Sequence, residues 1–291
     1  MTIIDLFNSE PWLFYTAVVL FSLCIGSFLN VVIYRLPLIL DREWKSQCRE
    51  YLDINEPEPD AATARLGLAT PASTCPHCGH AIRAWENIPV ISYLLLRGRC
   101  AACAAPISIQ YPLIEAATAL LSLAVAYRYG ISVQTLAALV FTWVLITLTM
   151  IDIHKQLLPD SLTLPLLWLG LLLALFDTFA PLQDCVIGAI AGYGVLWLVF
   201  QLFRLVTGKE GMGFGDFKLL AALGAWTGWM MLPQIVLVSS VIGAVIGITM
   251  LVSGKTRAQQ PIPFGPYLAL AGWIALLWGE SINRAYLTTL Q

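Results

Sequence analysis

Charge is what this sequence has least of. Its 291 residues include 16 Lys or Arg and 18 Asp or Glu, 12% in all, where soluble domains carry roughly 25%. With 58% hydrophobic residues and a mean hydropathy of +0.77, a water-soluble globular domain is excluded and a polytopic membrane protein is indicated. A basic stretch ahead of the first apolar segment is also missing. Asn30, Tyr34 and Arg35 follow that segment where a small-residue cleavage site would stand, so it is expected to be retained rather than removed as a signal peptide. No internal repeat is present. A net charge of -2 carries no information on partners, and no nucleic-acid partner is expected.

What is present is a series of apolar runs. Residues 12–34 form the first, long enough for a bilayer core that needs about 20 residues. Gly26, Ser27 and Asn30 share one helical face there, which predicts close helix packing. From Arg35 to Gln110 the chain turns polar, with Pro57, Pro59, Asp60 and Pro71 marking a loop-rich insert; the part around 41–53 has the pattern of an amphipathic surface helix. Apolar runs return at 111–127, 133–151, 161–180, 183–203, 217–231, 232–252 and 264–279. The expected fold is an all-α polytopic membrane protein of about eight transmembrane helices, with a cytoplasmic insert between the first and second. The domains then read as 1–34 (first span), 35–110 (insert) and 111–291 (membrane domain).

Orientation follows from Lys and Arg. With the N-terminus outside, the inner segments hold Arg35, Arg42, Lys45, Arg49, Arg65, Arg83, Arg97, Arg99, Lys155, Arg204, Lys209, Lys218, Lys255 and Arg257, leaving only Arg128 and Arg284 outside. The insert is therefore expected to be cytoplasmic, and so, by alternation, are 152–160 and 204–216. Alternation also places Asp152, at the end of the third run, and Asp216, at the start of the sixth, on the same face at similar depth.

Asp216 ends the stretch Lys209-Glu210-Gly211-Met212-Gly213-Phe214-Gly215-Asp216-Phe217-Lys218. Alone, a carboxylate at a helix N-terminus is equally explained as a cap. Asp152 is harder to explain that way, because it follows an apolar helix at the unfavourable end of the dipole. Two carboxylates brought together in a poorly solvated site cannot both ionise easily, so the pair shares a proton. One then acts as general base on a water while the other polarises a carbonyl, and the glycines let a substrate backbone pass close. Asp160, just past Pro159, is expected to cap the next helix. Glu115 reads either as a buried partner or as a site residue, and His154 and Lys155 as interface residues.

Four of the seven cysteines form two pairs, Cys75-Pro-His-Cys78 and Cys100-Ala-Ala-Cys103, separated by 21 residues. Each pair places two thiolates on one tight turn, and together they offer a closed tetrahedral sulfur site for a structural zinc ion. Gly79 and Gly98 are placed to allow the turns. His77 and His80 are alternative ligands, and a redox role for either pair is the other alternative.

Taken in order, these residues resemble a known family. Gly26-Ser27-Phe28-Leu29-Asn30-Val31-Val32 with Arg35-Leu36-Pro37, the paired cysteines, Trp85-Glu86-Asn87-Ile88-Pro89, Arg97-Gly98-Arg99-Cys100 and Tyr111-Pro112-Leu113-Ile114-Glu115 are followed by Ile151-Asp152, Leu157-Leu158-Pro159-Asp160, Gly213-Phe214-Gly215-Asp216-Phe217-Lys218 and Pro263-Phe264-Gly265-Pro266. The chain resembles, nearly end to end, the bacterial type IV prepilin peptidases, bifunctional leader peptidase/N-methyltransferases of the GxGD aspartyl protease type. The resemblance implies a bacterial inner-membrane enzyme with a periplasmic N-terminus. It implies cleavage of prepilin and pseudopilin leaders after a glycine at the cytoplasmic face, with Asp152 and Asp216 as the catalytic pair. It also implies methylation of the new N-terminal residue with S-adenosylmethionine, zinc on Cys75, Cys78, Cys100 and Cys103, and an association of the insert with methyl transfer, for which Glu86 and Gly98 are candidates. Membrane lipid is the remaining partner.

No Gly-rich nucleotide loop of the Rossmann kind follows a strand, so methylation rests on the resemblance alone and the S-adenosylmethionine pocket is not located. Two rival readings use the same residues. A proton-coupled transporter would employ Asp152 and Asp216 as a relay, but would place them at the midplane of matched halves. A scaffold docking secretion machinery through the insert would leave the aspartates unnecessary.

Overall fold

The structure is a computed structural model that describes residues 3–53, 67–209, 211–253 and 263–289. Pro57, Pro59, Asp60, Arg65, Glu210, Lys255 and Arg257, used in the sequence reading, lie outside the described residues. Ten α-helices and no extended strand occur among them, and the chain divides into two compact units, Met1–Ile131 and Ser132–Gln291.

The first unit is built on α2 (Pro11–Tyr51), preceded by the short α1 (Ile3–Ser9), and on α4 (Gln110–Tyr129). At 1.5 Å per residue the 41 residues of α2 span about 60 Å, twice the hydrocarbon core. The helix runs straight through Pro37, so 41–51 continues α2 instead of forming the separate surface helix expected. The small-residue face of α2 meets α4 as expected. A Cβ on Gly26 would lie 2.7 Å from Glu115 Cα, and Asn30 Nδ2 donates to Gly26 O at 3.3 Å and across to Tyr111 O at 3.1 Å. Arg35, only 8% exposed, donates to the carbonyls of Gly67 at 3.0 Å and Pro71 at 2.7 Å, which pins the return of the insert to α2.

The second unit contains α5 (Val133–Lys155), α6 (Asp160–Ala174), α7 (Leu182–Thr207), α8 (Phe214–Thr227), α9 (Leu232–Val252) and α10 (Gly265–Thr289). Helix α8 is its axis: Phe217, Leu219 to Ala222, Leu223, Ala225 and Trp226 are all buried. Backbones of α7 and α8 touch at Gly188 and Gly224, where any Cβ would collide with the facing carbonyl. On the other side Trp226 fills the space left by Gly170 and donates to Leu166 O at 2.8 Å. Trp273 Nε1 donates to Thr142 Oγ1 at 3.0 Å and ties α10 to α5.

All eight apolar runs form helices. Among the described residues, four helical stretches are long and apolar enough to cross a membrane: α2, α5, α7 and Trp229–Val252, which adds a 3-10 turn to α9. The runs at 161–180 and 217–231 give shorter helices of 15 and 14 residues, about 22 Å each and below the ~30 Å core. Exposed Leu20, Leu172, Phe176, Ile190 and Leu198 cover the helices with the apolar surface a bilayer requires.

Candidate active site

Asp152 lies in the last turn of α5, where Gln156 adopts a left-handed conformation and its N–H caps the Asp152 carbonyl at 2.8 Å. The helix therefore stops one turn beyond the aspartate, and Leu157 to Pro159 lead back into α6. Asp152 is 5% exposed. Its Oδ2 accepts the N–H of Gly265, the first residue of α10, at 3.1 Å, so a helix N-terminus points at this carboxylate, a setting that suits an anion.

Asp216 is the third residue of α8, whose N-cap is Gly213. The helix entry is fixed by rings: Phe214 and Phe217 lie 5.4 Å apart and 5.4 Å and 5.7 Å from Phe200 of α7. Those residues share a face at i and i+3, which leaves Asp216 on another. It is 8% exposed, its carboxylate accepts a hydrogen bond from the Gly213 backbone at the helix N-cap, and its Oδ1 is buried without a hydrogen-bond partner among the described residues. A buried polar atom without a partner is costly, and such atoms occur where a substrate or water completes the site.

Leu158 joins the two aspartates. A Cβ on Gly215 would lie 2.8 Å from Leu158 Cβ, and one on Gly265 would lie 3.2 Å from its methyls and 2.7 Å from Asp152 Oδ2. The residue before Asp216 and the hydrogen-bond donor to Asp152 thus pack on the same side chain. Leu158 and Gly265 were not picked out as site residues from sequence, although both stand within the quoted motifs. Asp160 does not cap α6. It lies inside the helix, after the N-cap Pro159, and both of its oxygens take Lys218 Nζ at 2.7 Å.

The four paired cysteines converge in the first unit. Their sulfurs all lie within 4.8 Å of one another, with Cys75 and Cys103 at 3.9 Å. A tetrahedral Zn–S₄ site with bonds near 2.3 Å has sulfurs about 3.8 Å apart, so the donor set fits a zinc ion. The two knuckles repeat one geometry. Gly79 N–H bonds Cys75 O at 2.9 Å and Ala104 N–H bonds Cys100 O at 3.0 Å. Gly79 (φ +71°) and Ala104 (φ +56°) both take left-handed backbone. Gly98 (φ +67°) makes the expected turn into the second knuckle. The N–H groups of His77 and Cys78 draw the Cys75 thiol down to about 7, and those of Cys103 and Ala102 lower Cys100. Amides aimed at these two sulfurs favour their thiolates. At Cys78 the lowering by the His80 backbone is outweighed by burial and by the hydrogen bonds shared with Cys103, Cys75 and Cys100, which push that thiol up to about 12.

The histidines stay outside this donor set. His80 Nε2 lies 3.0 Å from Glu86 Oε2, which also accepts the Arg83 N–H at 3.0 Å. That N–H and His80 hold the Glu86 carboxyl below its usual range. Gly98 accepts Ile107 N–H at 2.8 Å, and a Cβ there would meet Tyr93 Oη at 2.9 Å. Glu115 is a buried partner: its Oε2 accepts Val90 N–H at 2.7 Å, and Ser27 bonds it from α2.

Comparison with known proteins follows these two units closely. Residues 20–129 match the model of the bacterial peptidase A24 N-terminal domain, and residues 139–248 match that of the type IV leader peptidase family. Among similar proteins, the prepilin leader peptidase/N-methyltransferase of Aeromonas salmonicida (strain A449) is 56% identical over 288 residues, 99% of each chain. That of Aeromonas hydrophila is 57% identical over 286 residues, 98% of each chain. That of Pseudomonas aeruginosa is 55% identical over 287 residues, 99% of this chain and 98% of the relative. No solved structure matches.

Proposed function

The chain belongs to the type IV leader peptidase family, and from that premise we propose that it cleaves the leaders of type IV prepilins and pseudopilins and N-methylates the exposed residue. The observation that carries the peptidase half is the pair of buried carboxylates, Asp152 and Asp216, held on one wedge by Leu158. Asp152, already accepting the Gly265 N–H, is the base that takes a proton from the attacking water. Asp216, with its Oδ1 unpartnered among the described residues, gives the shared proton to the scissile carbonyl oxygen as the water adds. When the gem-diol collapses, Asp152 gives the proton taken from water to the leaving amine and Asp216 recovers a proton from the diol hydroxyl, which restores the pair. The transporter reading finds no support among the relatives, whose printed names are those of peptidase/methyltransferases.

The enzyme is a multi-pass protein of the inner membrane, with its N-terminus periplasmic and the insert cytoplasmic; the Lys and Arg distribution supports that orientation. A prepilin carries a basic leader before an apolar helix, so its scissile bond lies at the level where the charge map puts both aspartates. In this reading 111–291 carries proteolysis and 35–110 is associated with methyl transfer. Cys75, Cys78, Cys100 and Cys103 hold a structural Zn2+ that organises an insert with few buried side chains of its own. S-adenosylmethionine supplies the methyl group; Glu86 and Gly98 are the candidate residues on that side, and both also have structural tasks in the insert.

Purified protein incubated with a prepilin tests the assignment. Asp152→Asn and Asp216→Asn should each lower leader release by on the order of 10²–10⁴-fold, while labelled methyl transfer to a pre-cleaved pilin persists. Unimpaired cleavage by either variant would sink the dyad. Loss of methyl transfer on the pre-cleaved substrate would reject separate sites.

A further inference from the structure

Between the knuckles the chain reads Arg83-Ala84-Trp85-Glu86-Asn87-Ile88-Pro89-Val90-Ile91-Ser92-Tyr93-Leu94-Leu95-Leu96-Arg97-Gly98-Arg99. It forms a 3-10 turn at Ala84–Asn87 and the five-residue α3 (Ile91–Leu95). Trp85, Ile88 and Ile91 are exposed, as are Leu94 at 69% and Leu95 at 73%. Water is a poor solvent for such a surface. Its one acid, Glu86, is turned inward on His80 with a side chain only 5% exposed, so the outer surface combines apolar side chains with the exposed cations Arg83, Arg97 and Arg99.

The depth of this segment is set by Glu115. That residue is five positions into α4, about 8 Å from its start at 1.5 Å per residue. On α2 it faces Gly26, eight residues, or about 12 Å, inside the end of the apolar run at Tyr34. Val90 must reach that level to donate to Glu115 Oε2 at 2.7 Å, and it does so with φ +61°, a conformation that a β-branched residue rarely adopts. The strained, half-buried residue is held against Glu115 of α4, and α3 follows at once.

We infer that the Trp85–Leu95 segment is a membrane-surface anchor of the insert, with Leu94 and Leu95 among lipid acyl chains and Arg83, Arg97 and Arg99 at the phosphate level. Trp85 occupies the position favoured by indole rings at bilayer interfaces. Arginines at both ends complement anionic headgroups. The charge pattern favours lipid over a prepilin, whose basic leader would meet three cations here.

Photocrosslinking of the full-length protein in nanodiscs of phosphatidylethanolamine and phosphatidylglycerol tests this. Photoreactive benzoylphenylalanine replaces Leu94 or Leu95, with Leu120 on the exposed face of α4 as a lipid-facing reference and Ala102 in the second knuckle as an aqueous one. Retained zinc in each variant reports a folded insert. Lipid adducts at Leu94 or Leu95 should match the yield at Leu120 and exceed that at Ala102 several-fold. Yields at both positions no higher than at Ala102 would overturn the anchor. So would adducts to added prepilin that replace those to lipid. Neither result depends on leader cleavage, so the inference can fail while the peptidase assignment stands.

Discussion

At Gly265 a single methyl group separates a working site from a distorted one. A Cβ there would lie 2.7 Å from Asp152 Oδ2, so Gly265→Ala must displace the carboxylate or the start of α10. Overpacking of this kind costs about 1–3 kcal/mol. Leader cleavage should fall sharply in this variant while methyl transfer to a pre-cleaved pilin holds; equal loss of both activities would contradict a local effect. Cys75 gives a pH-dependent counterpart. Its thiol is lowered from 9.0 to about 7, so folding favours the thiolate. That contribution is full above about 9 and is lost as pH falls through about 7. Bound zinc competes with protons for the same sulfurs and shifts release lower still. Zinc release followed with a chromophoric chelator should therefore increase as pH falls, and release that instead increased with rising pH would count against the four-thiolate site.

At the scale of elements, the contact of α7 with α8 is the most exacting. Gly224→Ala places a methyl group against the carbonyl of Gly188 and should lower stability by about 1–3 kcal/mol, read as a lower midpoint of unfolding in detergent. By contrast Lys218→Met removes an ion pair whose partners are 30% and 54% exposed, and should change stability by no more than about 1 kcal/mol. The existence and order of the helices were legible in the sequence, because apolar runs and their breaks are local. The paired cysteines and both aspartates were legible for the same reason: spacing alone brings the thiols together, and helix ends place the acids. What escaped was decided across distance. The surface helix expected around 41–53 is instead the end of α2, which continues through Pro37 to Tyr51. Asp160 had the position of a cap but found Lys218, 58 residues away, and a charged partner outbids a backbone amide. No local pattern links Gly265 to Asp152 across 113 residues, nor marks Ala104 as the left-handed twin of Gly79.

For the molecule as a whole, the paired thiols and the paired acids fall in different units. All four sulfurs lie within Met1–Ile131 and both aspartates within Ser132–Gln291. Chelation, or Cys75→Ser, should therefore remove zinc and abolish methyl transfer while leader cleavage persists. A parallel loss of cleavage would show that the peptidase depends on an ordered insert.

The wedge at Leu158 also limits how such a chain can change over generations. Gly215 and Gly265 are separated by 50 positions, yet a methyl group on either would press on the same leucine, on its Cβ at 2.8 Å from Gly215 and on its methyls at 3.2 Å from Gly265. A shorter residue at position 158 relieves the outer part of both contacts, though not the Cβ contact at Gly215 or the Asp152 contact at Gly265, so the three positions should drift as a set and not singly. In a mutant cycle, Leu158→Ala should partly rescue Gly265→Ala, with a non-additive coupling of about 0.5–3 kcal/mol. Related chains that alter one member of the trio are then expected to alter another.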